Sequence, residues 1–322
     1  MKKFKDKLNK ILFQWSIFEL SLREEEKDSM KNIAVIGAGT MGSGIAHCFA
    51  QHGYSVTLID RSAAVLDRVK KSIENNLDRQ CAKGILTAEE KGNALRRIQL
   101  ATTIAAGVSN ADIAIEAVVE DKAIKQQIFQ EMDQHAPAHC ILASNTSSLS
   151  ISDLAAVTSR PDQFIGMHFM NPVPVMPLVE IIKGKHTSQV TLSTIQSLTE
   201  HIKKTPLVAA DAPGFVANRI LLPMINEAIT TLHQGIADVY AIDHIMKLGM
   251  GHPMGPLRLA DFIGLDVCLS ILNVLHHGFG DDKYAPCPLL VKMVGAGTLG
   301  VKTKQGFYNY ALDMKNPTPC DF

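Results

Sequence analysis

The sequence predicts an α/β protein in which a doubly wound parallel sheet is followed by an all-helical C-terminal part. Three observations carry this. Up to about residue 210, short β-branched apolar runs alternate with amphipathic helical stretches, the order of successive βαβ units. The first run opens into a glycine-rich turn, "GAGTMG". Past "KTPLVAADAPGF" the strand pattern stops and helical periodicity takes over. A chain of 322 residues has room for two ordinary cores. We expect residues 30–210 to build the first domain, 211–322 the second, and 1–29 a dispensable extension ahead of both.

The first element pair is "NIAVIGAGTMGSGIAHCFAQHGYSVTLID". Ile33 to Ile36 reads as a strand, Met41 to Gln51 as a helix stopped by Gly53, and a second strand ends in Asp60. In this context the G-x-G-x-x-G has a mechanism. Gly37 permits a tight turn, Gly39 lets backbone approach a pyrophosphate, and Gly42 lets the helix sit close to the sheet. The helix amino terminus then offers N–H groups to phosphate. Asp60 is placed to accept both ribose hydroxyls and to repel a 2′-phosphate, which favours NAD; the adjacent Arg61 pulls toward NADP. The expected fold is therefore Rossmann-like.

Further elements follow in the same alternation. "SAAVLDRVKKSIENNLDRQCAKGIL" is an amphipathic helical stretch, and "TAEE" from Thr87 to Glu90 has the capping-box pattern that starts another. Strands are expected at "IQLAT", "ADIAIEAV", "CILAS", "FIGMHFM" and "PLVEII". Ligands of such sheets bind beyond the carboxyl ends of the strands, and Glu120, Ser147 and His168 lie near such ends. In the C-terminal part, "GFVANRILLPMINEAITTLHQG" reads as a helix with Pro213 suited to its first turn and Pro223 inside it. "DVYAIDHIMKLGMG" and "GPLRLADFIGLDVCLSILNVLHHGFG" each read as one further helix. These are apolar on more than one face, so we expect them to pack on each other and on a second subunit.

Composition excludes several classes. With 32 basic and 32 acidic residues there is no net field to attract nucleic acid or an anionic membrane. Six cysteines without a C-x-x-C pair suit reduced thiols in the cytoplasm and no metal site. No apolar run is long enough to span a bilayer. The opening "MKKFKDKLNKILFQWSIFELSL" imitates a signal peptide poorly, since Gln14, Ser16 and Glu19 interrupt it. Ile11, Leu12, Trp15, Phe18 and Leu22 fall near helical spacing, leaving open an amphipathic helix on a membrane or partner.

"FIGMHFMNPVP" places His168 in an apolar strand. On those residues alone it is either a satisfied core histidine or a proton carrier, for which imidazole is suited because it ionises near neutrality. Met41, Met167 and Met170 read as core or pocket wall.

From Met30 to Tyr310 the chain resembles the L-3-hydroxyacyl-CoA dehydrogenase family, which includes the 3-hydroxybutyryl-CoA dehydrogenases. The resemblance rests on "GAGTMGSGIA", "SNTSSLSI", "GMHFMNPVPVMPLVEII", "DAPGFVANRI", "MKLGMGHPMGPLRLAD" and "GFYNY". It implies NAD-dependent oxidation of a short-chain L-3-hydroxyacyl-CoA, and the reverse reaction, by a homodimer in fatty acid (β-oxidation) or butanoate metabolism. By the same resemblance His168 is the general acid/base and Glu180 its orienting partner, while Ser147 and Asn218 hydrogen-bond the reacting oxygen or substrate carbonyl. NAD is held by Gly37, Ala38, Gly39, Thr40, Met41, Gly42 and Asp60, with Glu120, Lys125 and Asn171 near its ribose and nicotinamide, Ser147 shared between ligands, and Lys302 a further contact. Lys304 stands where the family usually has glycine. Lys83 lies where the family meets coenzyme A, and Asn76 replaces a serine there.

The chemistry fits those residue types. A neutral imidazole takes the hydroxyl proton as hydride leaves carbon, and a carboxylate on its other nitrogen fixes the tautomer and stabilises the imidazolium. Taken singly, each partner has a plainer reading: Ser147 as a cap for the helix beginning "SLSISDLAA", Asn218 as a solvated helix residue, Glu180 as the partner of a lysine. Two other functions share many of the motifs, a sugar-acid (L-gulonate-type) dehydrogenase and a non-catalytic, crystallin-like cofactor-binding protein.

Overall fold

In the computed structural model, which describes residues 30–322, the run "NIAVI" becomes the central strand β1 (Asn32–Ile36), buried after its first residue. The expected extension 1–29 lies outside the described residues. β1 pairs in parallel with β2 (Ser55–Ile59) on one side and β4 (Ile113–Glu116) on the other. β3 (Ile98–Ala101) joins β2, β5 (Ile141–Ser144) joins β4, and β6 (Phe164–Phe169) joins β5, all parallel. β7 (Leu178–Lys183) and β8 (Thr205–Ala210) complete an eight-stranded sheet of order β3-β2-β1-β4-β5-β6-β7-β8. The order reverses between β1 and β4, the switch point at which such sheets open a crevice.

The expected parallel pairing stops at β6, because β7 runs antiparallel to it. Residues 170–177 alone connect the two, whereas a parallel return needs a crossover of about a dozen residues or more.

Helices flank the sheet: α1 (Thr40–Gln51), α2 (Ala63–Ala82), α3 (Ala88–Arg96), α4 (Ile104–Val108), α5 (Lys122–His135), α6 (Ile151–Ala155) and α7 (Gln189–His201). The capping box expected at "TAEE" forms in full, with Thr87 and Glu90 exchanging side-chain and backbone bonds, a device worth about 1 kcal/mol. Phe49, Ile45, Leu58, Ile115, Met167 and Phe169 lie in one buried cluster, each contributing about 1.5–3 kcal/mol of burial.

The chain divides into two compact units. The first holds the described residues up to Thr146 together with Ile151–Val208, and the second holds Ser147–Ser150 with Ala209–Phe322. The second unit is built from α8 (Ala217–His233), α9 (Val239–Met250), α10 (Pro256–Ile263), α11 (Leu265–Phe279) and α12 (Pro288–Gly295), with the short strand β9 (Tyr308–Asn309) paired to β10 (Thr318–Pro319). Among the described residues no single helix is long and apolar enough to cross a membrane.

Two sequence expectations for this unit are corrected. Pro213 is not in the first turn of α8. Gly214 and Phe215 take positive φ values of 70° and 52°, so the chain turns before the helix begins at Ala217. The stretch "GPLRLADFIGLDVCLSILNVLHHGFG" is two helices bent by 97°, not one. Gly264, at φ 104°, closes α10 through its N–H to Ala260 and opens α11. Apolar periodicity continues through the bend, so the sequence shows none.

Two carboxylates tie the end of the chain to these helices. Asp261 accepts the N–H groups of Phe307 and Tyr308, each at 2.9 Å, and the Tyr310 hydroxyl at 3.1 Å. Asp243 accepts from the N–H groups of Leu257 and Arg258 and from the Tyr308 hydroxyl at 2.8 Å. Burial pushes Asp261 up to about 7, against the pull of its three donors. Because an unfolded carboxyl titrates near 4, the folded chain holds this proton more tightly. Its contribution to stability is complete below about pH 4 and is lost as pH rises through about 7. The melting temperature should therefore fall more steeply between pH 5 and pH 8 in the parent than in Asp261→Asn; equal slopes in thermal melts would refute the assignment.

Lys304, where glycine was the expectation, sits at φ 60° in the left-handed region. A side chain there costs about 1 kcal/mol or more. Lys304→Gly should raise stability by about 1 kcal/mol, net of the entropy that glycine adds to the unfolded chain, and a urea midpoint at or below the parent's would contradict the strain.

Candidate active site

The glycine turn is shaped by contacts that forbid side chains. A Cβ on Gly37, whose φ is +103°, would stand 2.6 Å from the Ala117 carbonyl oxygen, and one on Gly42 would stand 1.8 Å from that of Gly37. The third position differs: nothing lies within 4 Å of a Cβ on Gly39. That face of the turn is open backbone, and α1 starts there with no side-chain cap, so its first N–H groups suit a phosphate. Asp60 reaches back to the turn, its Oδ2 accepting from Ala38 N–H and its Oδ1 from Ser62 N–H, both at 3.0 Å. Ala38 is buried and Thr40 exposed, with Met41 packed partly against the core. A closed turn, an open Gly39 and a docked, half-exposed carboxylate fit a dinucleotide bound through pyrophosphate and ribose.

At the ends of β4 and β5 lies a network in which the sequence showed only part of the membership. Lys125 is buried at 1% exposure. Its Nζ lies 2.6 Å from Glu116 Oε1 and 3.2 Å from Glu120 Oε2. Glu116 also accepts from Val118 N–H at 2.7 Å and, on its second oxygen, from the Ser144 hydroxyl at 2.7 Å. The Thr146 hydroxyl donates to Glu120 at 2.6 Å. Glu120 and Lys125 are thus in contact, with Lys125 standing behind Glu120, inside the protein. Glu116 was missed, although a lone acid in "IAIEAV" is the same signal that singled out His168.

His168 is the penultimate residue of β6 and faces Glu180 across the antiparallel ladder. Its Nδ1–H donates to Glu180 Oε2 at 2.8 Å, and the two residues are 8% and 4% exposed. A carboxylate only accepts, so the proton on Nδ1 is dictated by the partner. Glu180 therefore pairs with the imidazole. Phe169 N–H, the next along the strand, donates to Asn145 Oδ1 at 2.9 Å. Beyond β6, Asn171 is exposed and joined to Pro172 by a cis peptide, and Lys204 Nζ holds the connection through the carbonyls of Val173 and Met176 at 2.6 and 2.7 Å. A cleft of about 230 Å³ brings Thr40, His47, Asn76 and Asn171 onto its lining. Burial lowers His47 to about 4, so it is neutral there.

In the second unit, Asn218 is 8% exposed and its side-chain amide donates to the Ser147 carbonyl at 2.9 Å. Asn218 is therefore not a solvated helix residue. The helix α6 begins at Ile151, four residues beyond Ser147. Lys302 Nζ is held by Asp266 at 2.8 and 2.9 Å. Lys83 is the exposed C-cap of α2 in the first unit. Among the described residues no cluster of His, Cys, Asp or Glu could hold a metal ion. Burial pushes the Cys48 thiol up to about 11 and those of Cys140 and Cys268 up to about 12, which leaves them unreactive.

Residues 32–212 match the family model of the 3-hydroxyacyl-CoA dehydrogenase NAD binding domain, and residues 214–310 that of its C-terminal domain. The chain belongs to the 3-hydroxyacyl-CoA dehydrogenase family. As a member it is an NAD-dependent oxidoreductase. It is 52% identical to a probable 3-hydroxybutyryl-CoA dehydrogenase of Bacillus subtilis (strain 168), over 87% of this chain and 98% of that one. It is 40% identical to the human mitochondrial hydroxyacyl-coenzyme A dehydrogenase, over 88% and 93%. Among solved structures, the (S)-3-hydroxybutyryl-CoA dehydrogenase of Ralstonia eutropha superposes with a TM-score of 0.85 at 47% identity, over 88% of this chain and 100% of that one.

Proposed function

We propose that this family member interconverts a short-chain L-3-hydroxyacyl-CoA, 3-hydroxybutyryl-CoA first among them, and the corresponding 3-oxoacyl-CoA. The observation that carries the reading is the buried His168–Glu180 pair at 2.8 Å on the carboxyl end of β6. The relatives named for 3-hydroxybutyryl-CoA support the acyl length.

When bound, nicotinamide supplies the hydride acceptor. His168 takes the hydroxyl proton on Nε2 in the oxidative direction and returns it in the reductive one, since Nδ1 is committed to Glu180. Glu180 holds the tautomer and balances the imidazolium. To Ser147 and Asn218 we assign the hydrogen bonds to the reacting oxygen, as neutral donors that do not compete for the proton. Gly37, Ala38, Gly39, Thr40, Met41 and Gly42 cradle the pyrophosphate, Asp60 takes the adenosine ribose, and Glu120 and Asn171 serve the nicotinamide side. Lys125 acts through Glu120, whose carboxylate it holds. Lys302 and Lys83 are assigned to the cofactor and to coenzyme A. We assign residues 30–210 to the cofactor domain and 211–322 to the helical one. Exposed apolar side chains on α9 and α10, among them Tyr240, Ile245, Leu248 and Phe262, support a homodimer, and six free cysteines support the cytoplasm.

Absorbance of NADH and NADPH followed with acetoacetyl-CoA, a longer 3-oxoacyl-CoA and, oxidatively, a sugar acid tests this function. Fastest turnover is expected with acetoacetyl-CoA and NADH; faster oxidation of the sugar acid would overturn it. Asp60→Ala should cut the preference for NADH over NADPH by about tenfold, about 1.4 kcal/mol. Because Asp60 also holds the turn, the ratio of the two affinities is the readout, and an unchanged ratio would reject the ribose role.

A further inference from the structure

We propose that Asn145 is a positioning residue for His168, an inference that rests on His168 being the proton carrier. β5 pairs with β6 only as far as Ser144 opposite Gly166. β6 continues through Met167, His168 and Phe169, paired on its other side with β7. The end of the strand that carries the imidazole therefore has no β5 neighbour. Along a strand successive N–H groups point to alternate sides, and that of Phe169 points toward the β5 side. It finds the Asn145 side-chain oxygen at 2.9 Å. Phe169 is 1% exposed, so its N–H requires an acceptor from the protein. Asn145 thus stands in for the missing rung immediately beside His168.

Asn145 is itself gripped on both sides. Its N–H donates to the Glu116 carbonyl at 2.8 Å. Ser144, before it, donates its hydroxyl to the Glu116 carboxylate at 2.7 Å, and Thr146, after it, donates to Glu120 at 2.6 Å. Thr146 N–H also closes onto the Ser144 hydroxyl at 3.2 Å. The buried ion pair of Glu116 and Lys125 anchors this run of three residues. His168 is consequently fixed from both neighbouring strands: through its Nδ1 by Glu180 on β7, and through the following peptide by Asn145 beyond β5. Proton transfer is sensitive to such placement, and a misplacement of about 1 Å costs about 100-fold in rate.

The test is Asn145→Leu, which keeps the volume and removes the acceptor, measured with acetoacetyl-CoA and NADH beside His168→Ala. The expected result is a fall of about 10- to 100-fold in kcat, with NADH affinity within about twofold of the parent and faster hydrogen exchange at the Phe169 amide. A folded Asn145→Leu with kcat within about threefold of the parent overturns the inference, as does a loss of kcat matched by an equal loss of NADH binding. If Asn145→Leu does not fold, Asn145→Ala is read in the same way. Unprotected exchange of the Phe169 amide in the parent denies the bond whatever the variants do. An active His168→Ala would remove the proposed function itself, whereas an inactive His168→Ala beside an active Asn145→Leu removes only the role of Asn145.

Discussion

His168→Ala should lower turnover of acetoacetyl-CoA by about 10³-fold, within the range general acid–base groups contribute, while NADH affinity stays within about twofold. The separation is expected because His168 lies on β6, whereas the glycine turn that fits the pyrophosphate follows β1. Glu180→Gln should cost about 100-fold or more for a different reason. A carboxamide can turn its NH2 toward Nδ1, which moves the ring proton to Nε2 and leaves no lone pair there to accept from the alcohol. The two variants differ in what remains: His168→Ala removes the proton carrier outright, while Glu180→Gln leaves an imidazole in the wrong tautomer. Near-parental turnover in both variants, by stopped-flow or steady-state absorbance, would end the catalytic assignment.

Lys125→Met should be the most destabilising single change considered, at about 3–5 kcal/mol, because it leaves the Glu116 carboxylate buried without a counter-charge. Lys125 and Glu116 are 1% and 0% exposed, so water cannot take the ammonium's place. For a unit of this size the loss corresponds to a fall of about 10 °C in melting temperature. Adding Glu116→Met should recover much of it, since replacing both members of a buried pair is often close to neutral, although the Ser144 hydroxyl then loses its acceptor. A Lys125→Met protein melting within about 2 °C of the parent would show that the pair carries no such burden.

What could be read from the sequence was what depends on neighbours in the chain. The β1–α1–β2 unit was legible because each glycine answers a local demand, and the Thr87–Glu90 cap because both partners lie within one turn. Glu180 was legible only through the resemblance; the register that sets it opposite His168 depends on the antiparallel return of β7. The bend at Gly264 was hidden because the apolar period runs through it, and tertiary packing decides which glycine bends. Asn145 was not singled out, since nothing local shows that β6 outruns β5. Glu116 was different. An acid inside "IAIEAV" was as conspicuous as the histidine inside "FIGMHFM", and it marks the anchor of the site.

The knot of Asp243 and Asp261 also bears on how the protein is made. Asp261 lies 46 residues ahead of Phe307, and Asp243 lies 65 ahead of Tyr308. While the chain is being synthesised, helices α9 and α10 exist for some seconds with these carboxylates lacking the donors of the closing strand. The second unit therefore gains its last buried hydrogen bonds only after Phe307 to Tyr310 have been added. A chain broken off before Phe307 would leave Asp261 without all three of its donors and Asp243 with only the N–H groups of Leu257 and Arg258.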